Sequence, residues 1–436
     1  MDASAHFRAK RVTVMGLGLL GRGVGDARYL AECGAELIVT DLKSREQLAE
    51  SVTELAGFSN VTFVLGEHRL EDFRDRDLIV KAAGVPLDSS YILEAKKHRI
   101  PVRMSADLFM EFSGIPTIGI TGTRGKSTTT HMIAAILEAA GKEVLLGGNV
   151  WGVSTLALLP EVTPRHVAVL ELDSWQCQGL AEAKLSPYIA VFTTFYPDHL
   201  NYYHGDLDAY LADKAKIFLY QKPEDTLILG AQCAGVVQNA YQKSFVGKFE
   251  VWGVNDLPKE WALCIPGEHN RYNAALALAA ARAYGIEDSV GRKALESFKG
   301  ISGRIEFLRE VRGVKIYNDN NSTTPDAALA ALAALDTART VIIMGGADKA
   351  LDMGALLEKV QDSKGIVLLA GTGTDRIKDK IPGGMIYHTL SDAVSAAMNM
   401  TEPGDTLLFS PAFASFGMFK NEYDRGDQFA ALIKAL

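Results

Sequence analysis

The stretch GITGTRGKSTTT, Gly119 to Thr130, fixes the first point of the fold. It looks like a phosphate loop but fails the usual spacing, because G-x-x-x-x-G-K-[ST] would need Gly at position 120 and Ile120 is there. What remains is a shorter loop, Gly122-Thr123-Arg124-Gly125-Lys126-Ser127. It follows the apolar run TIGI and precedes STTTHMIAAILEAAG, so it reads as a strand-to-helix turn. Small and polar residues there leave backbone N–H groups to point at anionic oxygens. Lys126 is placed to reach the outer phosphates, and Ser127 or Thr128 to ligate Mg²⁺. A glycine-rich helix start with an incidental lysine would show the same letters.

Working outward, short β-rich runs alternate with Ala-rich helical stretches, which predicts an α/β fold with largely parallel sheets. The 436 residues are too many for one ordinary core. Three domains are expected: a Rossmann-like N-terminal domain over 1–104, a central P-loop ATPase-type domain over 105–302 and a Rossmann-like C-terminal domain over 303–436. RVTVMG, ELIVTD and DLIVKAAG are strands of the first, and PTIGITG, HVAVLEL and IAVFTT of the second. VKIYND, TVIIMGG, GIVLLAG and DTLLFSPA are strands of the third. The net charge of −8, without a basic block, argues against a nucleic-acid partner. Four scattered cysteines without C-x-x-C predict neither a zinc site nor a disulfide framework. No signal peptide or membrane span is read, so a cytoplasmic address is expected, and separately a monomer.

Several motifs carry chemistry. Gly16, Gly18 and Gly21 match G-x-G-x-x-G after a strand, and Asp41 ends the next strand where that fingerprint expects an acid. The ligand is a diphosphate, whether of NAD or of a UDP-sugar; a plain tight turn is the alternative. VAVLELDSWQ places Glu171 and Asp173 at a strand's C-terminal end, where carboxylates suit Mg²⁺. A solvated strand end would look alike. FTTFYPDHL places Asp198 and His199 at another such end. In DLDAYLADKAKIFLY, Lys214 follows Leu207 by seven residues and so lies within about 20° of it on a helical wheel. It therefore faces inward while Lys216 points away, and a buried lysine needs a reason. Snorkelling from the stripe's edge is the bland one. His269 and Asn270 precede a helix, Asp319 ends a strand, and Thr324-Pro325 reads as an N-cap with Pro at N1.

Together these residues resemble the Mur ligases, the ATP-dependent amide-forming enzymes of peptidoglycan precursor synthesis. TGTRGKSTTT is similar to the family's T-G-[ST]-x-G-K-[ST]-T loop, LELDSWQ to L-E-[LM]-S-S-[FW]-Q, and DHLNYY with Lys214 to D-H-[LM]-x-x-[YH] and its downstream lysine. GGNVWG, EHNRYN, SGRIE, GGADK and SPAFASFGMFKNEYDRG extend the likeness over the whole chain. The branch it resembles most adds D-glutamate to UDP-N-acetylmuramoyl-L-alanine through an acyl phosphate. The resemblance implies ATP contacts at Gly122, Thr123, Arg124, Gly125, Lys126, Ser127, Thr128, Asn270, Arg304 and Asp319. It implies UDP-substrate contacts at Gly16, Gly18, Leu19, Asp41, Gly84 and Asn149, and glutamate contacts at Thr323, Lys349, Ser415 and Phe416. Lys126, His199 and Lys214 would be catalytic, with Lys214 N-carboxylated. Two Mg²⁺ would be held by Ser127, Glu171, His199 and the Lys214 carbamate.

The chain departs from the branch at Asp173, Asn321, Gly417 and Glu422, which leaves L-glutamate open as the amino acid. Folylpolyglutamate synthase shares the phosphate loop but gives no reason for the first 104 residues. An NAD-dependent oxidoreductase would leave that loop and Glu171 unused.

Overall fold

A computed structural model describes residues 2–18, 21–150, 152–199 and 202–436. Leu19, an expected substrate contact, lies outside the described residues. Three sheets carry the chain, as the alternating pattern predicts. The first is all parallel, in the order Val61–Leu65, Glu36–Asp41, Arg11–Met15, Leu78–Lys81, Val102–Arg103. The second, also parallel, runs Lys248–Trp252, Thr226–Gly230, Ile189–Phe192, Thr117–Thr121, His166–Glu171, Glu143–Gly148. The third runs Glu306–Val311, Val314–Asn318, Thr406–Phe409, Thr340–Gly345, Gly365–Leu369, Met385–Tyr387, with the first strand antiparallel to its neighbour. The edge strands Lys248–Trp252 and Glu306–Val311 mix charged with apolar residues, so the apolar runs that mark the central strands do not reveal them.

Central strands such as Ile118–Ile120, Val167–Leu170 and Ile189–Phe192 are buried on both faces, which is why they read as continuous apolar runs rather than alternating ones. In the first sheet the strand order reverses between Arg11–Met15 and Leu78–Lys81, and a crevice opens beyond their C-terminal ends. In the second sheet the strand before the phosphate loop is flanked by Ile189–Phe192 and His166–Glu171, so three chain segments converge at one edge.

The chain divides into two compact units, Met1–Leu257 with Tyr272–Ala294, and Pro258–Arg271 with Leu295–Leu436. The first unit holds the first two sheets and the second unit holds the third. The first two sheets meet around Asp26, whose carboxylate accepts from Ser105 Oγ and Ser154 Oγ, both at 2.6 Å. Burial pushes that carboxyl up to about 6 even against both hydrogen bonds. Among the described residues no helix is long and apolar enough to cross a membrane.

Two local expectations need correction. The helix carrying Lys214 spans Leu207–Ala215 and does not continue to Tyr220. Lys216, Ile217 and Phe218 donate to carbonyls three residues back, which tightens the chain out of the α-helix. Thr324 does precede Pro325 at the start of helix Pro325–Ala333, but its side chain makes no cap hydrogen bond.

Candidate active site

The phosphate loop turns from strand Thr117–Thr121 into helix Lys126–Ala139 through two glycines with positive φ. A Cβ on Gly122 would come within 2.1 Å of Thr193 Oγ1, and one on Gly125 within 2.4 Å of Asn273 Oδ1, so neither position accepts a side chain. The neighbouring strand end wraps the loop. Thr193 Oγ1 donates to Arg124 O at 2.6 Å. The N–H groups of Thr123 and Arg124 bond to Thr194 O (2.7 Å) and Thr194 Oγ1 (2.9 Å). Two N–H groups expected to face an anion are thus engaged in shaping the loop instead.

Two lysines converge on this turn. Lys126 Nζ donates to Gly122 O at 3.0 Å and Thr123 O at 3.2 Å. Lys214 Nζ donates to the same Gly122 O at 2.8 Å and lies 4.7 Å from the centre of the Tyr210 ring. Lys214 is 1% exposed, which bears out the inward reading of its helix, while Lys216 pairs with Asp213 at 2.6 Å. Burial, reinforced by the charge of Lys126, lowers the Lys214 pKa to about 7. His199 is half-buried, with its ring 4.8 Å from that of Trp175 and 6.1 Å from that of Tyr210. Tyr210 therefore neighbours both His199 and Lys214. His199 does not sit at the strand end, which comes at Phe192; the intervening residues begin with Thr193 and Thr194.

Glu171, the last residue of its strand, is buried. Its carboxylate accepts from Asn149 Nδ2 at 3.2 Å, and its carbonyl accepts from Asn149 N at 2.6 Å. Gly148 permits this approach: it has φ +80°, and a Cβ there would meet Glu171 O at 2.0 Å. Asn149 Oδ1 in turn accepts from Arg22 Nη1 at 2.8 Å, so one amide links the two sheets. Asp173 lies two residues beyond the strand's last residue, Glu171, and also lines the first sheet's cavity. It caps helix Ser174–Ala183, accepting from Gln176 N at 2.7 Å in a reciprocal box with the Gln176 side chain. Among the described residues no group of three or more His, Cys, Asp or Glu side chains is gathered to hold a metal.

The crevice of the first sheet is a cavity of about 570 Å³, lined by Gly16, Gly18, Gly84, Arg22, Lys43 and Lys81 among others, with Asn149 from the second sheet. Gly16 has φ +98°, and a Cβ there would strike Ala82 Cβ at 2.7 Å. Asp41 accepts from Gly18 N and Lys43 N, each at 2.9 Å, so both its oxygens order the turn. Lys81 is buried, with Nζ 3.2 Å from Ala83 O and 3.0 Å from Val85 O, and burial lowers its pKa to about 8.

In the second unit, Asp319 is buried and accepts from Ser410 Oγ (2.7 Å), Ile305 N (3.1 Å) and Ser322 Oγ. Burial still raises its pKa to about 6, against those bonds and the Arg304 charge. Lys349 Nζ donates to Thr323 Oγ1 at 2.9 Å, which joins two of the expected amino-acid contacts. Ser415 is buried and Phe416 is exposed. His269 and Asn270 lie inside the first turn of helix Glu268–Ala283 rather than before it, and Asn270 Nδ2 donates to Pro266 O at 2.7 Å.

Comparison with known proteins fits this arrangement. Residues 10–104 match a model described as Mur ligase MurD-like, N-terminal domain; residues 120–244 match the Mur ligase middle domain; residues 303–413 match the Mur ligase, glutamate ligase domain. The UDP-N-acetylmuramoylalanine--D-glutamate ligase of Roseiflexus sp. (strain RS-1) is 36% identical over 98% of both chains. The chain belongs to the Mur ligase family. The enzyme of the same name from Borreliella burgdorferi (strain ZS7) is 34% identical over 97% of both chains. The solved UDP-N-acetylmuramoylalanyl-D-glutamyl-2,6-diaminopimelate--D-alanyl-D-alanyl ligase of Acinetobacter baumannii has the same fold, with a TM-score of 0.58 and 18% identity over 91% of this chain and 90% of that one.

Sequence reasoning about this Mur ligase missed Thr193, Thr194, Asn273, Arg22 and Lys81. Lys81 had a legible signal, because it ends the apolar run LIVK at the reversal of strand order. Thr193 and Thr194 had none, since their partners lie about seventy positions earlier in the chain.

Proposed function

We propose that this chain joins D-glutamate to UDP-N-acetylmuramoyl-L-alanine at the expense of ATP, releasing ADP and phosphate. Residues 1–104 would take the UDP-substrate, 105–302 ATP, and 303–436 the amino acid. The observation that carries the reading is the pair Lys126 and Lys214, both donating to Gly122 O at a loop whose two glycines accept no side chain. A phosphate loop alone needs one lysine; the second, buried and with its pKa at about 7, is poised to be neutral and so to react with CO₂.

The residues fit Mg²⁺. Glu171 is a buried carboxylate beside the loop's strand, and the His199–Tyr210–Lys214 cluster becomes an anionic oxygen site if Lys214 is carboxylated. Ser127 with Glu171, and His199 with the Lys214 carbamate, would then hold two ions. Bound Mg²⁺ neutralises charge on the transferring phosphoryl group. Lys126 adds a positive charge at the same place. The carboxylate of the UDP-substrate attacks the γ-phosphorus and ADP leaves. The glutamate amine then attacks the acyl phosphate, loses a proton and expels phosphate, leaving an amide. In the first sheet's crevice Gly16, Gly18, Gly84 and Asn149 would face the diphosphate, with Asp41 holding the turn. Thr323, Lys349 and Ser415 would hold glutamate, and Asn270, Arg304 and Asp319 would hold ATP.

Phosphate release that requires both UDP-N-acetylmuramoyl-L-alanine and D-glutamate, with an amide product by mass spectrometry, is the expected result. Equal ATP hydrolysis without either substrate would sink the reading. A higher yield with ¹³C-labelled L-glutamate would keep the chemistry and reverse the amino acid's configuration.

A further inference from the structure

Arg425, one turn into helix Glu422–Ala435, is fully buried, and none of its acceptors is a carboxylate. Its Nε donates to Asn320 Oδ1 at 2.6 Å, its Nη2 to Asn320 O at 2.9 Å and its Nη1 to Phe413 O at 3.2 Å. A buried guanidinium is costly unless its fork is satisfied, and an apolar side chain serves packing alone at least as well. What the fork provides is a rigid join between two loops. Asn320 lies between Asp319 and Thr323, and Phe413 lies two residues before Ser415. The same loops are tied to each other by Ala412 N to Ser322 O (2.8 Å). Ala347 and Ala414 exchange backbone bonds at 2.9 and 3.1 Å, two residues from Lys349. The helix is shaped to receive Asn320, whose Nδ2 donates to Glu422 O, and a Cβ on Gly426 would stand 3.0 Å from that Nδ2.

We propose that Arg425 is a positioning residue for the amino-acid substrate, holding the Thr323 and Ser415 segments in register through Asn320 and Phe413. The inference rests on the ligase reading above. Asp319 shares the bond from Ser322 with this segment but is also held by Ser410 and Ile305, neither of which Arg425 touches, so the nucleotide contact should depend on Arg425 less than the amino-acid contact does.

The test is steady-state kinetics of the full chain with ATP, UDP-N-acetylmuramoyl-L-alanine and D-glutamate, with thermal melts as a folding control. R425M is expected to raise KM for glutamate at least about tenfold, the scale of one lost charge-assisted hydrogen bond, with KM for ATP within about threefold. R425K should recover part of the loss. N320A and G426A leave the guanidinium in place and disturb only its seat, so they decide the matter if R425M does not fold. They should raise KM for glutamate by a smaller factor, again without the same change for ATP. Folded N320A and G426A with KM for glutamate within about twofold of wild type would overturn the proposal. So would KM values for glutamate and ATP that rise together. A wild-type chain without glutamate-dependent phosphate release overturns the ligase reading itself, and this inference with it.

Discussion

Lys214, beside the phosphate loop, and Arg425, in the unit of the third sheet, are both buried to 1% exposure or less. Burial lowers both pKa values, to about 7 for the lysine and about 10 for the arginine. The outcomes differ in kind. Near neutral pH the arginine remains a cation, with an acceptor for each of its three nitrogens. The lysine shares its carbonyl acceptor with Lys126, whose charge pushes its proton off. A guanidinium bonded through all three nitrogens acts as a strut, whereas an ammonium crowded by a second ammonium is prepared for a change of charge.

The comparison breaks most readily at Lys214. K214M should lower kcat by about a thousandfold, the scale of a lost electrostatic group at a phosphoryl-transfer site. K214R should restore nothing, because arginine does not become neutral and forms no carbamate. Substantial activity in K214R would remove the distinction between the two cations. Next in size is E171Q, expected to weaken Mg²⁺ affinity about 10- to 100-fold in a metal titration followed by ATP binding, with little change in melting temperature. An unchanged titration would show that the buried carboxylate serves only Asn149.

Acidity sharpens the same contrast. The neutral amine of Lys214 predominates above about pH 7, so activity should rise through that value and fall below it. The folded pKa is lowered from 10.5 to about 7, so the unfolded chain binds the extra proton between those values. Stability therefore rises with pH across that window, and the gain is lost as pH falls toward 7. For the uncarboxylated chain, with CO₂ excluded, urea midpoints across it should climb more steeply for wild type than for K214M. Arg425 lacks any such signature near neutrality. The smallest effect is expected at Asp173: D173A removes a helix cap and should cost about 1 kcal/mol of stability with kcat nearly unchanged. A large loss of Mg²⁺ affinity in D173A would return that carboxylate to the metal site.

The sequence by itself determined much of this molecule. Apolar runs and Ala-rich stretches recur with a period that any local reading can detect, so three α/β sheets and the strand-loop-helix at Gly122–Ser127 were legible. The seven-residue step from Leu207 to Lys214 fixed the lysine's inward face, because a helix rotates by a constant angle per residue. Tertiary structure decided the rest. Only the fold brought Thr193 and Thr194 around the loop, set Asn149 between Arg22 and Glu171, and seated Asn320 on Arg425 across 105 positions. It also gave Asp173 a capping bond to Gln176 N. Periodicity encodes which way a side chain faces. Which group it meets depends on how distant strands pair, and no local pattern carries that pairing.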